Sequence, residues 1–218
     1  MSRALSGLSV GCVVYPGVTA LDLVGPHEVL MRTGAHCFLV ARSLEPVSCN
    51  GGLRLIPDHT FPACPPLDVL LVPGGPGQTP AMDDAELIGF LAERAGQAQW
   101  TAAVCTGSLL LGRAGVLRGR AATTHWLAMG ELERWGAHAT RRRVVQDGAV
   151  VTGAGVSAGI DLALWMVSAL AGPEEAQRVQ LAIEYDPHPP FDSGAPEKAP
   201  AHIVQLLRAS SRFPQVGS

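Results

Sequence analysis

No excess of positive charge marks this chain. Sixteen Lys and Arg stand against nineteen Asp and Glu, for a net charge of −3 over 218 residues. Without a basic surplus to neutralise phosphates, nucleic acid is not expected as a partner. The one basic run, Arg141 to Arg143, reads as a solvated loop or strand end. Long hydrophobic runs are missing too. No segment reaches the roughly 18 consecutive apolar residues of a membrane span, so no membrane partner is expected. The apolar stretch near the start runs into Pro16-Gly17, not a small-residue cleavage site, and reads as a first buried strand instead of a secretory signal. The five cysteines, at 12, 37, 49, 64 and 105, are odd in number and nowhere spaced C-x-x-C. That argues against a disulfide framework or a zinc site and for a reducing, cytoplasmic setting. The histidines show no pairing at ligand spacing, so no metal is expected. No internal repeat is visible.

What is present is a large apolar fraction, 47%. That suffices for one sizeable core and is too little for two comfortable domains. One domain is expected over residues 1–218, with 190–218 as a C-terminal tail and helix. The order of elements alternates. "LSVGCVVY" (8–15), "HCFLVAR" (36–42), "LDVLLVPGG" (67–75) and "WTAAV" (100–104) read as strands. Between and after them, residues 21–34, ending at Gly34, and 84–98 read as helix, the latter from Leu87, Phe90, Leu91 and Ala95 at helical spacing. "SLLLGRAGVL" and "HWLAMGELERWG" follow as helices with "RAATT" as a short strand between them. "SAGIDLALWMVSALAG" is a long apolar helix with Ser157 as its cap, and Pro173 starts another. Asn50-Gly51 and Asp147-Gly148 signal two hairpins, expected to add antiparallel edges. Strands alternating with helices argue for a mainly parallel sheet covered on both faces. Sites in such sheets lie at the carboxyl ends of the strands. Three ends look chemical: Pro16-Gly17, the run Pro73-Gly74-Gly75-Pro76-Gly77, and Cys105-Thr106-Gly107.

Cys105 falls at the joint of a strand and a helix. A residue on such a turn projects out of the sheet top, as in the nucleophile elbow of hydrolases. The start of the next helix favours a thiolate, and Gly107 permits a tight approach. A small buried apolar cysteine is the other reading. The remaining four cysteines read as structural. "PGGPG" lacks the lysine and the spacing of phosphate loops. It serves either as a plain turn or as a source of N–H groups facing the thiol. Asp22, just past the first strand, is either a helix-start carboxylate held by the dipole or a protonated carboxyl that hydrogen-bonds the sulfur and moves a proton. In that second case the thiolate dominates at neutral pH. Glu28 is a weaker candidate. His125 is either a partner for Cys105 or a structural donor at a helix start.

Taken together, "YPGVTALDLVGPHEVL", "VLLVPGG", "AVCTGSLLLGRAGVLRGRAATTHW" and "GVSAGIDLAL" resemble the ThiJ/PfpI superfamily, from residue 9 to about 190. The resemblance implies a flavodoxin-like α/β sandwich with a cysteine elbow. Within the superfamily, Asp22 in place of a glutamate, Cys105-Thr106-Gly107 and the tail "YDPHPPFDSGAP" most resemble the isocyanide hydratases. Those are cofactor-free homodimers that add water to a small-molecule isocyanide and give an N-substituted formamide. By that resemblance Cys105 is the nucleophile, Asp22 its carboxyl partner and Thr106 a neighbour needed for activity. Gly75 occupies the glycine-loop position and the Val156 backbone faces the sulfur. The superfamily's proteases have His directly after the cysteine; Thr106 there argues against peptidase chemistry. A glyoxalase or deglycase acting on methylglyoxal is an alternative with the same thiolate. A second is a sensor related to the AraC-type regulators, whose sensory domains share "ATTHW". Those regulators add two helix-turn-helix units. Here a single helix precedes Ser218, so a stand-alone enzyme is expected.

Overall fold

The computed structural model describes residues 4–214; the first three residues and 215–218, at the ends of the expected domain and tail, lie outside the described residues. The chain opens with β1 (Ser9–Val13), α1 (Ala20–Met31) and β2 (His36–Ala41). The short strands β3 (Val47–Ser48), β4 (Arg54–Leu55) and β5 (His59–Thr60) follow, then β6 (Val69–Val72), α2 (Gln78–Ala81) and α3 (Ala85–Gln97). Next come β7 (Trp100–Val104), α4 (Gly107–Arg113), β8 (Ala121–Ala122), α5 (Met129–Arg134) and β9 (His138–Ala139). The hairpin β10 (Val144–Asp147) and β11 (Val150–Gly153) leads to α6 (Ala158–Ala171), α7 (Pro173–Ala182) and α8 (Ala201–Ala209).

Seven strands form the main sheet in the order β10-β11-β7-β6-β1-β2-β5, all parallel but for β10. All four residues of β6 are buried, as strands covered on both faces must be. The pleat sorts them. Leu70 and Val72 enter a core with Leu87 and Leu91 of α3 and Leu109 to Leu111 of α4. Val69 and Leu71 enter a second core with Leu23 and Leu30 of α1 and Leu162 and Met166 of α6. Helices therefore cover both faces, and the fold is the flavodoxin-like α/β sandwich expected. No helix among the described residues is long and apolar enough to cross a membrane.

Two expectations need correction. Only the second hairpin extends the main sheet, through β10, and its turn residues are Gly148 and Ala149, one step past the expected pair. The first forms a separate two-stranded ribbon, β3–β4. Its turn spans Asn50 to Gly52, and its backbone is drawn to another partner: the Gly17 N–H donates to Ser48 O, and the Asn50 N–H to Val18 O. The ribbon thus braces the β1–α1 loop, and β5 takes the sheet edge, parallel to β2. The helix expected from His125 begins as a 3₁₀ turn, Trp126–Ala128, before α5. Ser157 does stand at the cap of α6, though its side chain makes no cap bond. It accepts instead from Arg143.

Candidate active site

The sheet order changes direction at β1: β2 lies on one side and β6 on the other. The crevice at such a switch point is where ligands enter open α/β sheets. The loops after β1, β6 and β7 meet there, and they carry Asp22, the glycine run and Cys105.

Cys105 has φ 56, one of two non-glycine residues with positive φ among those described. A left-handed non-glycine residue costs about 1–2 kcal/mol. The surroundings over-determine it. Its N–H donates to Gly153 O and Ala154 O at 3.0 and 2.9 Å. Its carbonyl accepts from Thr124 Oγ1 at 2.9 Å and Ser108 Oγ at 3.0 Å. Gly107 is what lets the elbow sit against β6, since a Cβ there would stand 2.1 Å from Val72 O. The side chain is left at the sheet top, 6% exposed.

Asp22 is fully buried in the first turn of α1. Its Oδ2 accepts from the Gly74 N–H at 3.0 Å. Oδ1 is buried with no hydrogen-bond partner, and the Cys105 thiol is the ionisable group that interacts with the carboxyl. Burial pushes Asp22 up to about 7, against the pull of the Gly74 N–H and the thiol. Burial, with the Asp22 charge added, also pushes the Cys105 thiol up to about 12, against the backbone N–H groups of Thr106 and Val156. This corrects the expectation of a thiolate that dominates at rest. A helix start is legible in sequence, but burial works against ionisation of the thiol, and the thiol and the Asp22 carboxyl titrate as one coupled pair.

Thr106 and Gly75 act on each other. The Gly75 N–H donates to Thr106 Oγ1 at 3.0 Å, so it is not aimed at sulfur. Gly75 needs to be glycine: φ is 137, and a Cβ would lie 2.5 Å from Gly17 O and Thr19 N. The glycine run therefore holds Asp22 through Gly74 and Thr106 through Gly75. Val156 does present its N–H to the sulfur. His125 stands apart. Its Nδ1 accepts from the Leu127 N–H at 3.3 Å, capping the 3₁₀ turn, and burial, then Arg212, keeps it neutral by lowering its pKa. No hydrogen bond between its side chain and Cys105 is found among the described residues.

Three residues at the site were not singled out from sequence. Thr124 fixes the elbow carbonyl. Buried Tyr15 donates to Pro73 O at 2.8 Å and ties the ends of β1 and β6 together. Arg212 reaches Gly75 O from the other end of the chain. Nothing local announces such contacts; only "ATTHW" was already conspicuous.

A cavity of about 460 Å³ opens beside the elbow, lined by Leu21, Thr124, His125, Trp126, Met129 and Val156 among others. Its floor is apolar, with Arg141 to Arg143 on its lining. Arg143 is held by Asp161. Residues 194–197 of the proline-rich tail close one side. A larger cavity, about 710 Å³, lies between residues 126–133 and α8. Its lining includes none of the elbow or its backbone partners, so the smaller one is the candidate substrate pocket.

A thiol on a strand-to-helix elbow, faced by a buried carboxyl at the switch point of a parallel sheet, defines a flavodoxin-like α/β protein of the cysteine-elbow class. The chain belongs to the DJ-1/PfpI family, whose model matches residues 9–169. It is 46% identical over 202 residues to the isonitrile hydratase of Pseudomonas putida, spanning 92% of this chain and 89% of that one. A solved ThiJ/PfpI family protein from Pseudomonas syringae superposes with a TM-score of 0.91 at 44% identity, covering 93% of this chain and 85% of that one. A glutathione-independent glyoxalase of Caenorhabditis elegans is 26% identical over 71% of this chain and 84% of its own.

Proposed function

We propose that this chain hydrates isocyanides, with Cys105 as nucleophile, Asp22 as its proton-transfer partner and no cofactor. The observation that carries the reading is the buried Asp22 carboxyl facing the thiol on a strained elbow, in a chain 46% identical to an isonitrile (isocyanide) hydratase. As sulfur bonds to the terminal carbon of R–N≡C, the Asp22 carboxylate takes the thiol proton. It then returns that proton to the former isocyanide carbon, giving a thioimidate, R–N=CH–S–Cys. Water adds to that carbon, and the nitrogen gains a proton. The C–S bond breaks, releasing R–NH–CHO and the protonated thiol. The backbone N–H groups of Thr106 and Val156 steady the charge on sulfur while it is exposed. Thr106 and Gly75 keep the glycine run in register with Asp22. The apolar floor beside the elbow suits a neutral substrate. His125 shapes the pocket and transfers no proton.

The five free cysteines suit a cytoplasmic setting. The working unit is proposed to be a homodimer. Leu21 and Val24 on α1 and Phe191 in the tail are exposed apolar side chains for a second copy to cover.

The test is to give the purified protein p-nitrophenyl isocyanide and methylglyoxal in parallel. Formamide from the first, with the second untouched, is expected. Turnover of methylglyoxal alone would replace the hydratase with the glyoxalase reading. Turnover of neither would favour a sensor.

A further inference from the structure

The last described residues, Ser211 to Pro214, return to the glycine run. Helix α8 itself buries no side chain, and the residues after it reach back to the core. Phe213 packs against the core on the α3–α4 face, and the Arg212 guanidinium lies over its ring, 4.7 Å from the centroid. From there Arg212 Nη2 donates to Gly75 O at 2.9 Å and reaches Gln78 Oε1 at 3.5 Å. The same carbonyl accepts from the Gln78 N–H at 3.0 Å. Gly75 is one link from Thr106, and Gly74 one link from Asp22. A residue 137 positions away in sequence thus grips the loop that sets both partners of Cys105.

We propose that Arg212 is a positioning residue of the Cys105–Asp22 site: it pins the glycine run through the Gly75 carbonyl and sets a positive charge within electrostatic reach of the Cys105 sulfur. The inference rests on the proposed chemistry for its consequence in turnover, but not for its effect on the thiol. The pair carries one negative charge whenever it holds a single proton, wherever that proton sits, and a nearby cation favours that state. The titratable groups around the sulfur come from separate elements: Asp22 from α1, Tyr15 from the end of β1 and Arg212 from the tail. His125, before the 3₁₀ turn, also feels the Arg212 charge. Tyr15 stays protonated, raised by burial and by Asp22 and Cys105. His125 stays neutral. Arg212 is left as the fixed cation of the group.

The experiment compares Arg212→Gln and Arg212→Lys with the unaltered protein. Iodoacetamide labelling of Cys105, followed by peptide mass spectrometry against pH, reads the thiol directly. Hydration of p-nitrophenyl isocyanide gives kcat and KM. In Arg212→Gln the half-point of labelling should rise by about one unit, and labelling at pH 7 should slow by up to about tenfold. Its kcat should fall by a similar factor with KM little changed. Lysine, which keeps the charge, should restore most of the labelling profile. A glutamine variant whose profile overlays the unaltered one would overturn the proposal, as would a lysine variant no better than glutamine. Unaltered protein that labels at Cys105 yet hydrates no isocyanide would sink the hydratase reading, while the labelling comparison still decides the role of Arg212.

Discussion

Asp22 and Cys105 share a proton in a place where neither would hold it alone in the usual range. Asp22 loses its proton near 7, and only then can it accept one from sulfur. Both kcat/KM and the labelling of Cys105 should therefore rise with pH through about 7 and level off above it. An ordinary thiol would rise only near 8.5, and a labelling curve centred there would remove Asp22 from the chemistry. Cys105→Ala should abolish turnover with the circular dichroism spectrum unchanged. Asp22→Asn keeps an acceptor for Gly74 but has no proton to move, so turnover should fall by about 10²–10⁴. Asn should also change stability. Asp22 is raised from 3.8 to about 7, so the folded protein binds its proton more tightly than the unfolded chain. Stability from that proton is full below pH 4 and is lost as pH rises through 7. Denaturant titration should find Asp22→Asn no more stable at pH 4 and more stable at pH 8, by at most roughly 4 kcal/mol.

The elements explain why much of this was legible. Strands buried on both faces are continuous apolar runs, and β1, β2, β6 and β7 stand where those runs are. Helix α1 ends at Met31, three residues before the expected Gly34, and Pro173 opens α7. Asp84 caps α3 by accepting from the Glu86 and Leu87 N–H groups. Asp84→Ala should cost about 1 kcal/mol in denaturant titration and leave turnover alone. The short pieces were not legible, because strands two residues long, such as β3, β5 and β9, have no period to read. Their existence depends on neighbours brought in by the fold, as the ribbon's bonds to the β1–α1 loop show. The elbow is the opposite case. Its Gly107 is dictated by contact with Val72 O. Gly107→Ala should cost about 3 kcal/mol and lower Tm by roughly 6–12 °C, with activity lost even where the chain remains folded.

At the scale of the molecule, the site is assembled from positions that sequence proximity does not join. The loops of Cys105, Asp22 and Thr106 could be picked out, because strand ends at a switch point are few, but the role of Asp22 stayed open between two readings and that of Thr106 came from the family resemblance. Arg212 could not, since its partner Gly75 lies far away along the chain. Nor could the depth of burial, which works against ionisation of the thiol. The tail is a mixed case. Residues 194–197 line the pocket of their own chain, while Phe191 is 76% exposed. A second copy would give that ring a partner. Sedimentation equilibrium at micromolar concentration should then return a mass near twice 22.7 kDa, and a single-chain mass would defeat the dimer.

The positive φ at Cys105 has a consequence for how the protein is inherited. A glycine at position 105 would relieve the left-handed strain, about 1–2 kcal/mol, against about 0.5–1 kcal/mol of extra freedom in the unfolded chain. Against that gain stands the packing of the buried sulfur in the core shared with α1 and α6, which a glycine would leave empty. The backbone at this position therefore does not by itself call for cysteine, and on the proposed chemistry it is the sulfur that does. Copies of the gene released from that use should shed the thiol early, while the sheet around it stays recognisable.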